Sequence, residues 1–367
     1  MDPALCPPNL PGSLGVRMLD TKEVRMLLFL RNRTIQRTRS RGVVLLTLTL
    51  LATAGTVETK LPFGAWSRVS SDPILSPQGE GFESAGTFNP TVARKDGKYV
   101  MLYRAQDRKG ASSLGYATSD DGVHFVRRSE PVMVAETPYE RGGGVEDPRV
   151  VKIGETFYLT YTGYNNVTGT GPQHGDAQLC LATSTDLIHW RRLGVIMPAY
   201  RGKWNVGWTK SGAILPEKIN GKYWMYYLAD AAGQLTQMSV AYSTDLLHWT
   251  EVLDHPVLSS RPHTFDSQVV EPGPAPFMTE RGIFLIYNGA DDNSVYRTGW
   301  VVFDKKDPTK VVARADEPVF APVPDWERIG QVPNVVFVEG LVRDGKRWLF
   351  YYGGADKYVG VVSAPEM

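Results

Sequence analysis

One aromatic phrase recurs five times along this chain, and it restricts the fold more than any other feature. The segments Gly97–Tyr103, Thr156–Tyr161, Gly221–Tyr227, Gly282–Tyr287 and Gly345–Tyr352 each read as a strand rich in aromatic and β-branched residues, most of them opening on a Gly turn. Three are followed by a second phrase: Tyr116–Phe125, Ala182–Trp190 and Ala241–Trp249 each run from a strand through an Asp-containing turn to an aromatic residue. Ser, Thr and Asp side chains in such turns bond to nearby backbone amides and hold the bend. Copies at spacings of roughly 55–70 residues fit four-stranded units that stack around an axis. No stretch sustains a helical period. The repeat therefore predicts an all-β fold over residues 61–367, a five-bladed β-propeller with its active site in the central funnel. The 36 Gly, 25 Pro and 17 Tyr of the 367 residues suit short strands and tight turns.

Residues 1–60 do not belong to that pattern. Arg31, Arg33, Arg37, Arg39 and Arg41 precede an apolar run, Val43–Leu51, and Ala52-Thr53-Ala54 supplies small residues after it. That order predicts a signal peptide over residues 1–54, cleaved after Ala54, and a secreted or periplasmic mature protein. The apolar run falls short of the ~20 residues needed to cross a bilayer, so no membrane span is expected after cleavage; an uncleaved anchor is the alternative. Residues before Met26 do not suit a signal, and an upstream start codon assigned in error would explain them. Cleavage would remove Cys6 and leave Cys180, which lies in an alternating strand pattern and reads as a buried, inert thiol. Residues 1–54 carry eight Lys/Arg against three Asp/Glu, so the remainder is mildly acidic, which argues against nucleic acid as a partner.

In a propeller the first strand of each blade lines the axis, and residues at one end of those strands converge. Aligning the repeats places Phe88-Asn89-Pro90, Glu146-Asp147-Pro148-Arg149, Thr209-Lys210-Ser211-Gly212, Val270-Glu271-Pro272-Gly273 and Val338-Glu339-Gly340 in register. Carboxylates and amides in otherwise apolar strands would face one another in a funnel. There burial and mutual repulsion push carboxyl pKa values apart, as an acid/base pair requires. The ends of the second strands add Arg104, Asp230, Asp291 and Asp356. Glu339 could instead pair with Arg343 or Arg347, and Glu217 reads as a solvated turn residue. Trp204, Trp208 and Tyr164 could stack on sugar faces. His124, His189 and His248 belong to the repeat turns, and the six histidines show no metal-ligand spacing. No metal or cofactor is expected.

Taken together, these segments resemble glycoside hydrolase family 130, the mannoside phosphorylases and β-mannosidases. The residues that carry the resemblance are Phe88-Asn89-Pro90 with Leu102–Ala105, Gly144–Arg149, Leu215–Tyr223, Gly273–Pro276 with Ile286–Gly289, and Tyr351–Asp356. The resemblance implies a manno-oligosaccharide substrate, a five-bladed propeller, and Asp147 as general acid acting through a hydroxyl of the bound mannose. It also implies Asn89, Arg104, Arg149 and Asp356 around the sugar beside the scissile bond. Where phosphorylases of the family have a His-Arg pair, this chain has Leu228-Ala229-Asp230, and it adds Glu271. Two carboxylates there would repel phosphate. The expected activity is therefore that of an inverting hydrolase of β-1,2 or β-1,4 mannosidic linkages, with Glu271, assisted by Asp230, as base. The alternatives are a mannoside phosphorylase using Lys210, a sugar-binding propeller without turnover, and a related hydrolase of arabinose- or xylose-containing substrates.

Overall fold

The computed structural model describes residues 61–168, 176–230 and 236–367, and the expected signal peptide lies outside the described residues. The first blade comprises Gly86–Lys95, Lys98–Gln106, Ser112–Ser119 and Val126–Arg127, each antiparallel to the one before. The second is Gly142–Ile153, Thr156–Asn165, Asp176–Ser184 and Arg191–Met197. The third is Thr209–Ile219, Lys222–Asp230, Thr236–Ser243 and Thr250–Glu251. In the fourth the innermost strand is short, Val269–Pro272. Pairing resumes at Phe277–Thr279, and Gly282–Ala290, Tyr296–Phe303 and Val311–Arg314 follow. The fifth contains Val336–Asp344, Arg347–Gly354 and Tyr358–Pro365. Its outer strand comes from the other end of the described chain: Ser67–Arg68 pairs antiparallel with Val362 and Ser363 and closes the ring. The protein is a five-bladed β-propeller.

One polar device pins all five blades. The sixth residue of every second strand is a buried tyrosine, and its hydroxyl donates to a carboxylate from outside that strand. The pairs are Tyr103–Glu83 at 2.7 Å, Tyr161–Glu140 at 2.9 Å, Tyr227–Glu251 at 2.8 Å, Tyr287–Asp266 at 2.6 Å and Tyr352–Glu327 at 2.7 Å. Buried carboxylates need such partners to offset lost hydration. Four of the five also hold an arginine: Arg127, Arg192, Arg261 with Arg314, and Arg68. Aromatic stacking also joins neighbouring blades, as where Tyr226 meets Phe303 at 4.3 Å and Phe277 meets Trp348 at 4.9 Å.

The Asp-containing turns behave as their sequence predicts. Ser119, Ser184 and Ser243 accept amides two and three residues ahead, and Asp121, Asp186 and Asp245 do the same. His124, His189 and His248 each meet the same Asp at 2.6–2.7 Å on the exposed side of the turn. Cys180 is fully buried, and burial pushes its thiol far up.

Candidate active site

Three innermost strands carry a β-bulge at the same place. The register slips between Phe88 and Thr91 in blade one, between Glu146 and Arg149 in blade two, and between Lys210 and Ala213 in blade three. At each slip one residue takes a left-handed backbone: Asn89 at φ 48°, Asp147 at φ 50° and Ser211 at φ 57°. Asn and Asp tolerate this region better than most residues, and a bulge re-aims the side chain it carries. A fourth slip, between Val338 and Gly340, falls at Glu339. In blade four the strand ends just after Glu271, at Pro272.

The outcome is a cavity of about 160 Å³ lined by Asn89, Arg104, Asp147, Lys210, Glu271 and Asp356. Tyr296, Val332, Val335 and Phe337 form its apolar wall. A volume this small suits a single sugar ring more than an open groove. Asn89 Nδ2 donates to Asp147 Oδ1 at 2.7 Å, and Arg104 Nη1 donates to the same oxygen at 3.3 Å. Arg104 also holds Glu146 Oε1 at 2.6 Å and Ser112 Oγ at 3.0 Å. Ser211 Oγ donates to Glu271 Oε1 across the seam between blades three and four. Lys210 Nζ lies 5.2 Å from the centre of the Trp208 ring, which itself meets Tyr164 edge-on at 5.9 Å.

The cavity sorts its carboxyls electrostatically. Burial alone would raise Asp147, but Arg104, Lys210 and Arg149 outweigh it and hold that carboxyl below its usual range. Burial pushes Glu271 up to about 7 against the pull of Arg149 and Lys210, and pushes Asp356 up to about 6 against Arg104. Burial drives Glu339 well above its ordinary value. Burial acts to lower Lys210, yet Asp147, Glu146 and Glu271 raise it, so it stays a cation.

Not every predicted residue reaches the cavity. Arg149 and Glu339 lie outside its lining: Arg149 donates to the carbonyls of Gly273 and Pro272 at 2.8 Å and pairs with Glu339 at 3.0 Å, binding blades two, four and five together. Glu339 thus has neither Arg343, which pairs with Glu366, nor Arg347, which pairs with Asp344. Asp230 is engaged elsewhere. Its carboxylate accepts the Trp208 amide at 3.0 Å and the Thr236 hydroxyl at 3.1 Å, which fixes the loop before blade three. Asp291 caps the turn after its strand, accepting the amides of Asn293 and Val295 and pairing with Arg297 at 2.7 Å beside a separate recess. Strand-end carboxylates cap loops as readily as they line a funnel, so position alone did not separate the two uses. The functions that sequence reasoning missed belong to Ser211 and to the wall of Tyr296, Val332, Val335 and Phe337. The wall residues look like ordinary core. Ser211 sat in register with Asn89 and Asp147, and that alignment was the signal that could have found it.

Residues 69–367 match the family described as beta-1,4-mannooligosaccharide phosphorylase, Glyco_hydro_130. The chain belongs to glycoside hydrolase family 130. Among family 130 relatives it is 41% identical over 304 residues to the 1,2-beta-oligomannan phosphorylase of Thermoanaerobacter sp. (strain X514), covering 80% of this chain and 95% of that one. It is 37% identical over 309 residues to the beta-1,2-mannobiose phosphorylase of the same organism, again over 80% and 95%. A solved structure also resembles it with TM-score 0.73 and 34% identity, over 82% of this chain and 94% of that one. That structure is described in the words "the GH130 family of mannoside phosphorylases contains glycoside hydrolases that target beta-1,2 mannosidic linkages in Candida mannan".

These relatives overturn the expectation of a hydrolase, because the curated proteins matched at 41% and 37% are both phosphorylases. The geometry also removes one premise of that expectation. Only one of the two carboxylates expected to repel phosphate lines the cavity, and burial shifts that one, Glu271, toward its neutral form.

Proposed function

We propose that this chain is a β-mannoside phosphorylase that cleaves β-1,2-linked manno-oligosaccharides with inorganic phosphate. The observation that carries the reading is the 41% identity to a 1,2-beta-oligomannan phosphorylase over nearly all of that protein's length. The charge pattern of the cavity supports it: Lys210 and Arg104 are cationic there, while burial shifts Glu271 and Asp356 toward their neutral forms. A dianion entering beside those cations meets less repulsion than five nearby carboxyl groups would suggest.

The chemistry is a single displacement. A phosphate oxygen bonds to the anomeric carbon as the bond from that carbon to the glycosidic oxygen breaks, and the leaving oxygen takes a proton originating at Asp147. The products are mannose 1-phosphate, inverted at the anomeric carbon, and a shortened oligosaccharide. Before phosphate binds, Arg104, Lys210 and Arg149 hold Asp147 in its ionised form. Bound phosphate offsets that positive charge and raises the Asp147 pKa, so the carboxylate takes up a proton from solvent as the nucleophile arrives and has one to give to the leaving oxygen. Asn89 and Arg104 hold Oδ1 and fix the carboxyl plane.

Incubating the full-length protein with β-1,2-mannobiose, with and without inorganic phosphate, tests the reading. Phosphorus NMR should show mannose 1-phosphate, with a rate that saturates in phosphate. Equal mannose release in the absence of phosphate would overturn it.

A further inference from the structure

Ser211 occupies a position with no obvious structural need for serine. Its backbone sits at φ 57°, a region that suits glycine and costs other residues roughly 1–2 kcal/mol. Its side chain is buried and does not line the cavity. Two counterparts, Asn89 and Asp147, take the same conformation at the same bulge in blades one and two, and both present their side chains to the cavity. Ser211 instead spends its hydroxyl on Glu271 Oε1, a cavity-lining carboxyl of the next blade. Strain retained at a site of this kind points to the side chain it positions.

We infer that Ser211 is a positioning residue: by donating to Glu271 it fixes that carboxyl in the cavity and sets the pH range over which the cavity accepts phosphate. The inference rests on the phosphorylase reading. Around Glu271 stand Arg149 and Asp147 from blade two, Lys210 from blade three, Glu339 from blade five and Tyr296 from the third strand of its own blade. Arg149, Lys210 and the Ser211 hydroxyl favour the ionised carboxyl; burial and Asp147 favour the neutral one. A neutral Glu271 tolerates a phosphate dianion and an ionised Glu271 repels it. Phosphate uptake is therefore present at low pH and lost as pH rises through the Glu271 transition. Taking away the hydroxyl removes a donor to the charged form, keeps Glu271 neutral to higher pH, and moves the loss upward.

The substitution to make is Ser211→Gly, because glycine accepts φ 57° without strain and removes only the hydroxymethyl group; Ser211→Ala serves as a second variant. The readout is the phosphate KM of phosphorolysis against pH in wild type, Ser211→Gly, Glu271→Gln and the double variant. The alkaline rise in KM should shift up by about one pH unit in Ser211→Gly. It should be absent in Glu271→Gln, and adding Ser211→Gly to Glu271→Gln should change KM less than twofold. Superimposed wild-type and Ser211→Gly profiles, or an equal change in both Glu271 backgrounds, overturns the inference and leaves the phosphorylase reading intact. A wild type indifferent to phosphate defeats the reading and the inference together.

Discussion

Glu271 is the residue whose environment is easiest to test apart from catalysis. Its folded pKa of about 7 lies above the ordinary carboxyl value near 4.5, so the folded protein binds its proton more tightly than the unfolded chain. The stability this contributes is complete below about pH 4.5 and is lost as pH rises through about 7, a change of up to about 3 kcal/mol. Glu271→Gln keeps the shape and stays neutral. Its unfolding midpoint should match that of wild type near pH 4 and exceed it increasingly toward pH 8. Asp356 has the same sign but is present in both proteins and cancels. A gap that does not vary with pH would contradict the assignment. Asn89, Asp147 and Glu271 were legible in the sequence because a charge or amide before proline is out of place in an apolar strand. Ser211 was legible only through its register with Asn89 and Asp147, since a serine beside a glycine is by itself common. Asp230 and Asp291 illustrate the reverse error, where a carboxylate at a strand end serves the turn beside it.

At the scale of single strands and blades, the tyrosine–carboxylate pairs are what the repeat in the sequence was recording. The aromatic phrase was readable as a strand, but its sixth residue was not readable as a hydrogen-bond donor. Four of the carboxylates stand 20, 21, 21 and 25 residues before their tyrosine, whereas Glu251 stands 24 after Tyr227, so the acid has no fixed offset in the repeat. Blade four offers the clearest measurement. Asp266 is fully buried and receives Tyr287 at 2.6 Å, Arg314 at 2.7 Å and Arg261 at 2.9 Å. Tyr287→Phe leaves the carboxylate with both guanidinium groups and should cost about 1 kcal/mol in urea unfolding. Asp266→Ala strands two arginines and a buried hydroxyl and should cost about 3–5 kcal/mol. Similar losses for the two would mean that packing, not the polar network, holds the blade. Asn288 does comparable work between blades: its side chain donates to the Val338 carbonyl at 3.0 Å and accepts the Val338 amide at 2.9 Å, which substitutes for a strand pair across the seam.

For the molecule as a whole, five blades were visible in the repeat count, whereas the way the ring closes was not, because two residues are too few to read as a strand. Ser67–Arg68 completes blade five. Trp66 stacks on Phe350 at 3.9 Å, Phe63 is buried, and Arg68 pairs with Glu327 at 2.5 Å. A chain beginning at residue 61 retains all of these contacts. One beginning at residue 70 loses them and leaves the buried Glu327 without its cation, so it should be less stable by ~5 kcal/mol or more. Comparing the thermal unfolding of the two chains measures the latch, and equal midpoints would show that the ring holds without it. The closing strand also bears on how the protein is made. Synthesis delivers residues 67 and 68 long before residues 358–365 exist to receive them. An emerging chain with four complete blades therefore carries an unmatched rim on each side, and such rims invite pairing with neighbouring chains. The arrival of residues 358–365 decides whether those rims find each other or a stranger.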